Sequence, residues 1–222
     1  SGVAPIALMS EPYPCPHTMV GIGPCTYCPG GPGSAFGDVP QSYTGKEPST
    51  RRAIRNNYDP YLIVFNRLEH YIAMGKIPDK AEIIIQGGTF TFFPRAYQEY
   101  FVKYALKAMN DFSKLFFDNN GDLDILKFKR FFELPRTLSE EDKRIKKIQQ
   151  KLIYIKNLDL NNLQVGKNVN ELNGNIEENN VNNGNANLNA MKFVRDKVNA
   201  FDNPNISLEQ VQKENETSKI RC

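Results

Sequence analysis

Three cysteines fall within fourteen residues near the start of the chain: Cys15, Cys25 and Cys28, with a fourth, Cys222, far away. Thiolates clustered in one stretch, with no secretory leader ahead of them, point to metal ligation in a reducing compartment rather than to disulfides. Zinc would need a fourth protein ligand, either His17 or the distant Cys222. A 4Fe–4S cluster can take three thiolates and leave one iron open for the amino and carboxylate groups of S-adenosylmethionine. Reduction of the sulfonium would then supply a 5′-deoxyadenosyl radical. Spacing alone leaves both metals open.

A second group narrows the choice. Gln86-Gly87-Gly88-Thr89-Phe90 follows an apolar stretch that reads as a strand, and glycines at a strand end let a backbone approach a zwitterionic ligand closely. The plain alternative is a tight turn. Other motifs are absent. Glu47 follows Gly45-Lys46 where a phosphate loop needs Ser or Thr, and no glycine-rich dinucleotide fingerprint is complete. His17 and His70 are the only histidines, too far apart in sequence to suggest a catalytic dyad.

The elements that must position these groups can be read from hydrophobic pattern. Val3–Met9 is a short apolar run that predicts a buried strand, and Ala81–Gln86, rich in isoleucine, predicts a second. Residues 10–48, rich in Gly and Pro, form a long loop of the kind that carries function. Helical spacing runs from Arg51 to Met74, interrupted at Pro60, and again from Pro94 through Met109. Strand, loop, helix, strand, loop, helix is the order of βαβ units on a parallel sheet. Ser139 is expected to cap a helix running to Ile155, and Ser207-Leu-Glu-Gln210 to open another. Ile220-Arg-Cys222 resembles the opening of a further strand. Residues 157–190 carry 14 asparagines in 34 positions, a composition expected to stay disordered.

Composition excludes several classes. The chain has 222 residues, 40% hydrophobic and 24% charged, enough for one domain or one plus an appendage. No apolar run approaches the roughly 18 residues of a spanning helix, and residues 1–9 lack a positive leader. A membrane protein, a secreted disulfide scaffold and a collagen-like chain are therefore not expected; a cytoplasmic location is. The first residue is not Met, so residues upstream are expected. Residues 43–80 hold seven basic and four acidic side chains, and this excess of 7 − 4 = 3 equals the net charge of +3. Such a field suits a polyanion; a solvated helix face is the equal alternative.

Taken together, several motifs resemble one family. They are Cys15-Pro-His17, Cys25-Thr-Tyr-Cys28-Pro-Gly-Gly31, Gln41-Ser-Tyr-Thr-Gly45-x-Glu-Pro48, Arg52-Ala-Ile-Arg55, Tyr58-Asp-Pro-Tyr61 and Gly87-Gly-Thr-Phe90. They resemble the radical-SAM domain of the catalytic subunit of Elongator, a tRNA uridine(34) acetyltransferase that makes 5-carboxymethyluridine from acetyl-CoA. The resemblance covers about residues 1–113 and resumes at 207–222. It implies an α/β fold, the N-terminal part of a radical-SAM partial TIM-like (βα) barrel with a parallel sheet. Residues 114–206 would be an insertion, largely disordered and Asn-rich, and the domain would be truncated at 222. The resemblance further implies Cys15, Cys25 and Cys28 as ligands of a 4Fe–4S cluster. Tyr27 would sit beside the adenine of S-adenosylmethionine, with Gly87, Gly88 and Thr89 at its amino group. Lys80 would contact acetyl-CoA, although a solvated lysine at a strand entrance is the simpler reading. Arg51, Arg52 and Arg55 would meet tRNA phosphates. Other Elongator subunits are implied as partners, and the chain alone is expected to be inactive. A zinc-stabilised RNA-binding module and a radical-SAM enzyme of different substrate are the competing readings.

Overall fold

Two short apolar strands carry the thiol loop and the glycine pair at their ends. In the computed structural model, which describes residues 2–135, 141–161 and 186–222, the chain begins with β1 (Ala4–Met9), a short α1 (Pro16–Met19), α2 (Pro48–Arg55) and α3 (Pro60–Ala73). It continues with β2 (Ala81–Gln86), α4 (Arg95–Phe116), α5 (Ile125–Phe131), α6 (Glu141–Lys156), α7 (Ala186–Phe201) and α8 (Leu208–Asn215). β1 and β2 pair in parallel, from Ala4 opposite Ala81 to Met9 opposite Gln86. Parallel neighbours need a long crossover, which α2 and α3 supply. The expected α/β architecture with a parallel sheet is therefore present.

The break expected at Pro60 is also found, and its cause is local. The Asp59 carboxylate caps α3 by accepting the N–H groups of Tyr61 at 2.9 Å and Leu62 at 3.2 Å. Asn57 and Tyr58, just before it, both take φ of 51°, which no helix continues through. Beyond the break, α3 buries Tyr61, Leu62, Phe65, Leu68 and Ile72 against β1 and α4.

α4 extends further than periodicity suggests, so the domain boundary expected after residue 113 falls inside a helix. Met109, Phe112 and Phe116 keep one face apolar at i, i+3 and i+7. The ring of Phe112 lies 5.3 Å from Phe65 and 4.7 Å from Phe116, and Phe128 of α5 packs 5.6 Å from Phe116. Residues 117–135, which show no periodicity, are thus held by aromatic packing rather than by a helical stripe of their own.

The expected cap Ser139 and most of the Asn-rich tract, residues 162–185, lie outside the described residues. The tract's last five residues, expected to be disordered, already belong to α7. Their asparagines obscure an apolar face that becomes visible only at Val194 and Val198, one turn apart and both buried. The described parts of 114–206 share one core with the N-terminal elements: Phe128, Ile148, Leu152, Ile155 and Val194 join Ile6, Leu8, Phe65 and Phe112.

Ser207 caps α8 as its sequence predicts. Its hydroxyl accepts from the Gln210 N–H at 3.1 Å, and the Gln210 side chain accepts from the Ser207 N–H at 3.2 Å. The chain then reaches the open edge of β2, where Arg221 forms a parallel bridge to Lys80 and its carbonyl accepts from Ala81 N–H at 2.7 Å. This is the strand opening expected at Ile220–Cys222. Among the described residues no helix is long and apolar enough to cross a membrane.

Candidate functional site

The in-register ends of β1 and β2 bring two loops together. Directly after them, the Ser10 N–H donates to the Gln86 carbonyl at 2.8 Å, and the Ser10 hydroxyl donates to the Gly87 carbonyl at 3.1 Å. Gly87 takes φ of 115° and Gly88 φ of 66°, both in the region that side chains disfavour. A Cβ on Gly87 would lie 2.2 Å from Ser10 Oγ, and one on Gly88 would lie 2.9 Å from Gln41 Cβ. Both glycines are therefore required by close approach as well as by backbone angle.

Gln41 connects this strand end to the thiols. Its amide nitrogen donates to Cys28 Sγ at 2.9 Å and to the Gly30 carbonyl at 3.0 Å. Ser42 Oγ lies 3.8 Å from the same sulfur. Partial burial pushes the Cys28 thiol up, but the hydrogen bonds from Gln41, Ser42 and the backbone outweigh it and hold the thiol below its ordinary range. Gln41 lies within one of the motifs that carry the resemblance, yet an amide aimed at a sulfur thirteen residues away has no spacing signature.

The other thiols are less constrained. Cys15 precedes α1 and its Sγ lies 3.6 Å from His17 Nδ1. Cys25 is exposed and its carbonyl accepts from the Cys28 N–H at 2.8 Å. Among the described residues no three Cys, His, Asp or Glu side chains are gathered as a metal would hold them. The structure therefore links Cys28 to Gly88 through Gln41 but does not bring the three sulfurs together. In donor chemistry the loop still fits a thiolate-bound cluster. It offers three thiols, one already biased toward thiolate, and a glycine pair at the neighbouring strand end whose backbone carries no side chain in the way.

The remaining sequence candidates are distributed unevenly. Tyr27, between the last two cysteines, is 85% exposed. Thr89 is exposed at the turn leading to Phe90–Phe92, and its carbonyl accepts from the Phe92 N–H at 2.9 Å. Lys80 is exposed at the opposite end of β2 from Gly87. At roughly 3.3 Å per residue that seven-residue separation is about 23 Å, so the structure does not place Lys80 at the thiol edge. Arg51, Arg52 and Arg55 all lie on α2, with only Arg52 half-buried.

Two buried ion pairs that the sequence does not announce fix the loop's approach. Glu11, four residues before Cys15, pairs with Lys197 of α7, while its N–H donates to the Tyr97 hydroxyl at 3.0 Å. Asp59 pairs with Lys156 of α6 at 2.6 Å, and Lys156 also donates to the Tyr100 hydroxyl at 2.7 Å. Burial raises the Glu11 carboxyl above the usual range despite Lys197. For Asp59 burial acts in the same direction, but Lys156 and Lys197 outweigh it and its carboxyl is held low.

Glu47 anchors the far end of the loop and gives it a measurable pH dependence. Slight burial would raise its carboxyl, but hydrogen bonds from the Thr44 N–H at 2.9 Å, the Thr44 hydroxyl at 2.8 Å and the Thr50 hydroxyl at 3.1 Å hold it at about 2. A carboxyl lowered from 4.5 contributes stability that is full above 4.5 and is lost as pH falls through about 2. A carbon-13 titration of Glu47 should show that low midpoint, and the pair Thr44→Val, Thr50→Val should return it toward 4.5. A midpoint of 4.5 in the unaltered chain would refute this anchoring.

No family model matches the chain. A protein of Methanocaldococcus jannaschii named tRNA uridine(34) acetyltransferase is 51% identical over 110 residues, 50% of this chain and 19% of that protein. Elongator complex protein 3 of Bos taurus is 48% identical over 103 residues, 46% of this chain and 19% of the relative. The Saccharomyces cerevisiae protein of the same name is 42% identical over 124 residues, covering 56% and 21%. A solved structure of the archaeal Methanocaldococcus infernus Elp3 with an N-terminal deletion covers 50% of this chain and 17% of its own at 30% identity. Its TM-score of 0.28 is too low to carry an argument. The chain spans about a fifth of the length of the curated relatives it matches. Over about half its length, at 42–51% identity, this chain is homologous to proteins named tRNA uridine(34) acetyltransferase and Elongator complex protein 3.

Proposed function

We propose that this chain forms the thiol-loop part of an enzyme that modifies uridine(34) of tRNA with an acetyl group drawn from acetyl-CoA, using a 4Fe–4S cluster and S-adenosylmethionine. The observation that carries this reading is the contact chain from Gly88 through Gln41 to the Cys28 sulfur. It joins the two sequence features that this chemistry needs side by side. When bound, the cluster and S-adenosylmethionine would supply a carbon-centred radical to activate the acetyl group.

The chain's own residues have separable tasks. Cys15, Cys25 and Cys28 would hold the cluster, Cys15 and Cys25 moving toward Cys28 as it binds. The Gln41 amide stabilises negative charge on the Cys28 sulfur and orients it. Gly87, Gly88 and Thr89 would leave backbone groups open to the amino group of S-adenosylmethionine, and exposed Tyr27 would cover its adenine. Lys80 would contact acetyl-CoA only as a separate point, at the far end of β2. Arginines of α2 would meet the tRNA, and other subunits would join as the word complex in the relatives' names suggests. One geometric feature, the approach of His17 Nδ1 to Cys15 Sγ at 3.6 Å, favours the competing zinc-stabilised RNA-binding module.

A chimera tests the function. The 110 matched residues of the Methanocaldococcus jannaschii relative are replaced by those of this chain. The chimera should change the mass of uridine(34) in tRNA only when both acetyl-CoA and S-adenosylmethionine are supplied, and Cys28→Ala should abolish the change. A folded chimera that leaves uridine(34) unmodified, beside an active parent, would refute the reading.

A further inference from the structure

One helix touches the chain on both sides of the thiols. The first residue of α7 meets Gly33, five residues after Cys28: a Cβ on Gly33, which takes φ of 73°, would lie 2.8 Å from Ala186 Cβ. Eleven residues on, about 16 Å along the helix axis, Lys197 meets Glu11, four residues before Cys15. Both side chains are buried, 7% and 3% exposed, and the ammonium also donates to the Asn57 carbonyl. Lys197 thus ties α7 to the start of the thiol loop and to the turn before α3.

A stiff connector passes this tie on to Cys15. Only Pro12-Tyr13-Pro14 separates Glu11 from Cys15, and each proline fixes its own φ at about −65°. Tyr13 is buried and stacks on Phe93 at 4.3 Å, and Phe93 stacks on Tyr97 at 4.6 Å. The Tyr97 hydroxyl then accepts the Glu11 N–H at 3.0 Å. Glu11 is therefore held at its main chain by α4 and at its carboxylate by α7. Across the loop, Gln41 holds the Cys28 sulfur. Cys15 approaches Cys28 only by pivoting about the Glu11 stem, so the place of that stem decides where its sulfur can go. A buried ion pair adds little net stability over apolar packing, but it accepts only an oppositely charged partner in a narrow geometry.

We infer that Lys197 is a positioning residue of the thiol centre: through Glu11 it sets the stem from which Cys15 joins Cys25 and Cys28 in holding the cluster, and α7 is the clamp that carries it. This rests on the functional reading above and deepens it. A helix that only filled space would meet the loop through apolar side chains. α7 does bury Val194 and Val198 in the core, yet it reaches the two flanks of the thiol segment differently, with a buried charge at one and a close backbone approach at the other. No local pattern reveals this, since 186 residues separate Glu11 from Lys197.

The test uses the 222-residue chain with two readouts. The first needs no metal: the rate at which iodoacetamide alkylates Cys15, followed by peptide mass spectrometry with exposed Cys222 as internal reference. Lys197→Met should raise the Cys15 rate about threefold or more and leave Cys222 unchanged, because local opening of the stem frees the sulfur. Lys197→Arg should restore the wild-type rate, since it keeps the charge and the donors. Lys107→Met strips an equally buried pair inside α4, where Lys107 and Asp111 are 5% and 2% exposed, and should leave Cys15 unchanged whatever it costs the fold. The double variant Glu11→Gln, Lys197→Met removes the unpaired buried charge without restoring the tie, so it should regain thermal stability while Cys15 stays fast. The second readout is electron paramagnetic resonance after reconstitution with iron and sulfide and reduction with dithionite. Lys197→Met should hold less than about half the wild-type iron and give a broadened signal, and Lys197→Arg should restore both. If Lys197→Met and Lys107→Met change Cys15 alike, or if the double variant slows Cys15 to the wild-type rate, Lys197 acts on stability alone and the inference is wrong while the functional reading stands. A Lys197→Met chain with full iron and an unaltered signal would equally overturn it. If the wild-type chain takes up no cluster while Cys15 alkylation responds as expected, the clamp stands and the functional reading fails.

Discussion

Lys156→Met should destabilise the chain by about 3–5 kcal/mol in urea denaturation, the range for stripping one partner from a buried ion pair. Lys156 is 2% exposed and donates to the Asp59 carboxylate at 2.6 Å. Without it, Asp59 keeps its two backbone N–H donors, the Tyr100 hydroxyl at 3.3 Å and the distant help of Lys197 but becomes a buried carboxylate with too little positive charge. Its folded-state affinity for a proton should then exceed the unfolded value. The penalty would be full well above 3.8, the ordinary value, and would shrink as pH falls through that region. Adding Asp59→Asn should recover much of the loss, because asparagine caps α3 as well as aspartate does and carries no charge. A double variant as unstable as Lys156→Met alone would show that packing, not charge, dominates. The pair matters to function because it ties α6 to the start of α3, beside the loop that carries the thiols.

Gly87→Val should have the second large effect, about 3 kcal/mol or more. Backbone strain at φ of 115° accounts for roughly 1–3 kcal/mol of this. The rest comes from contact, since a Cβ would meet Ser10 Oγ at 2.2 Å and Ser10 N at 3.2 Å. Gly75 provides the control. It takes φ of 77°, yet a Cβ there would meet nothing within 4 Å, so Gly75→Ala should show strain alone, about 1 kcal/mol. Adding Ser10→Gly to Gly87→Val should relieve the hydroxyl clash but not the strain. Equal losses at Gly87 and Gly75 would mean that the glycine is needed only for its angle and not for the approach of the two strand ends.

Much of the scaffold is legible from local chemistry. The apolar Ala4–Met9 and the isoleucines of Ala81–Gln86 specify strands, Pro60 specifies a break between helices, and Ser207 with Gln210 specifies a helix start. Each of these is settled within a few residues of itself. What escapes is set by partners far away in sequence. Phe116 continues α4 because Phe128 and Phe131 return to cover it. α7 forms where asparagines dominate because Val194 and Val198 find the core. Lys156 and Lys197 read as surface lysines because nothing nearby in sequence reveals Asp59, 97 residues away, or Glu11, 186 residues away. At the site, the cysteines and glycines were legible by type and spacing. The Gln41 amide was not, because it acts on a sulfur thirteen residues away.

Iron and sulfide analysis after anaerobic reconstitution is the most direct test of the three-thiol reading. The chain should take up about four irons with matching sulfide and turn brown, and alanine at any one of Cys15, Cys25 or Cys28 should sharply reduce that uptake, while Cys222→Ala should not. A colourless chain that instead binds one zinc through Cys15, His17, Cys25 and Cys28 would contradict the account.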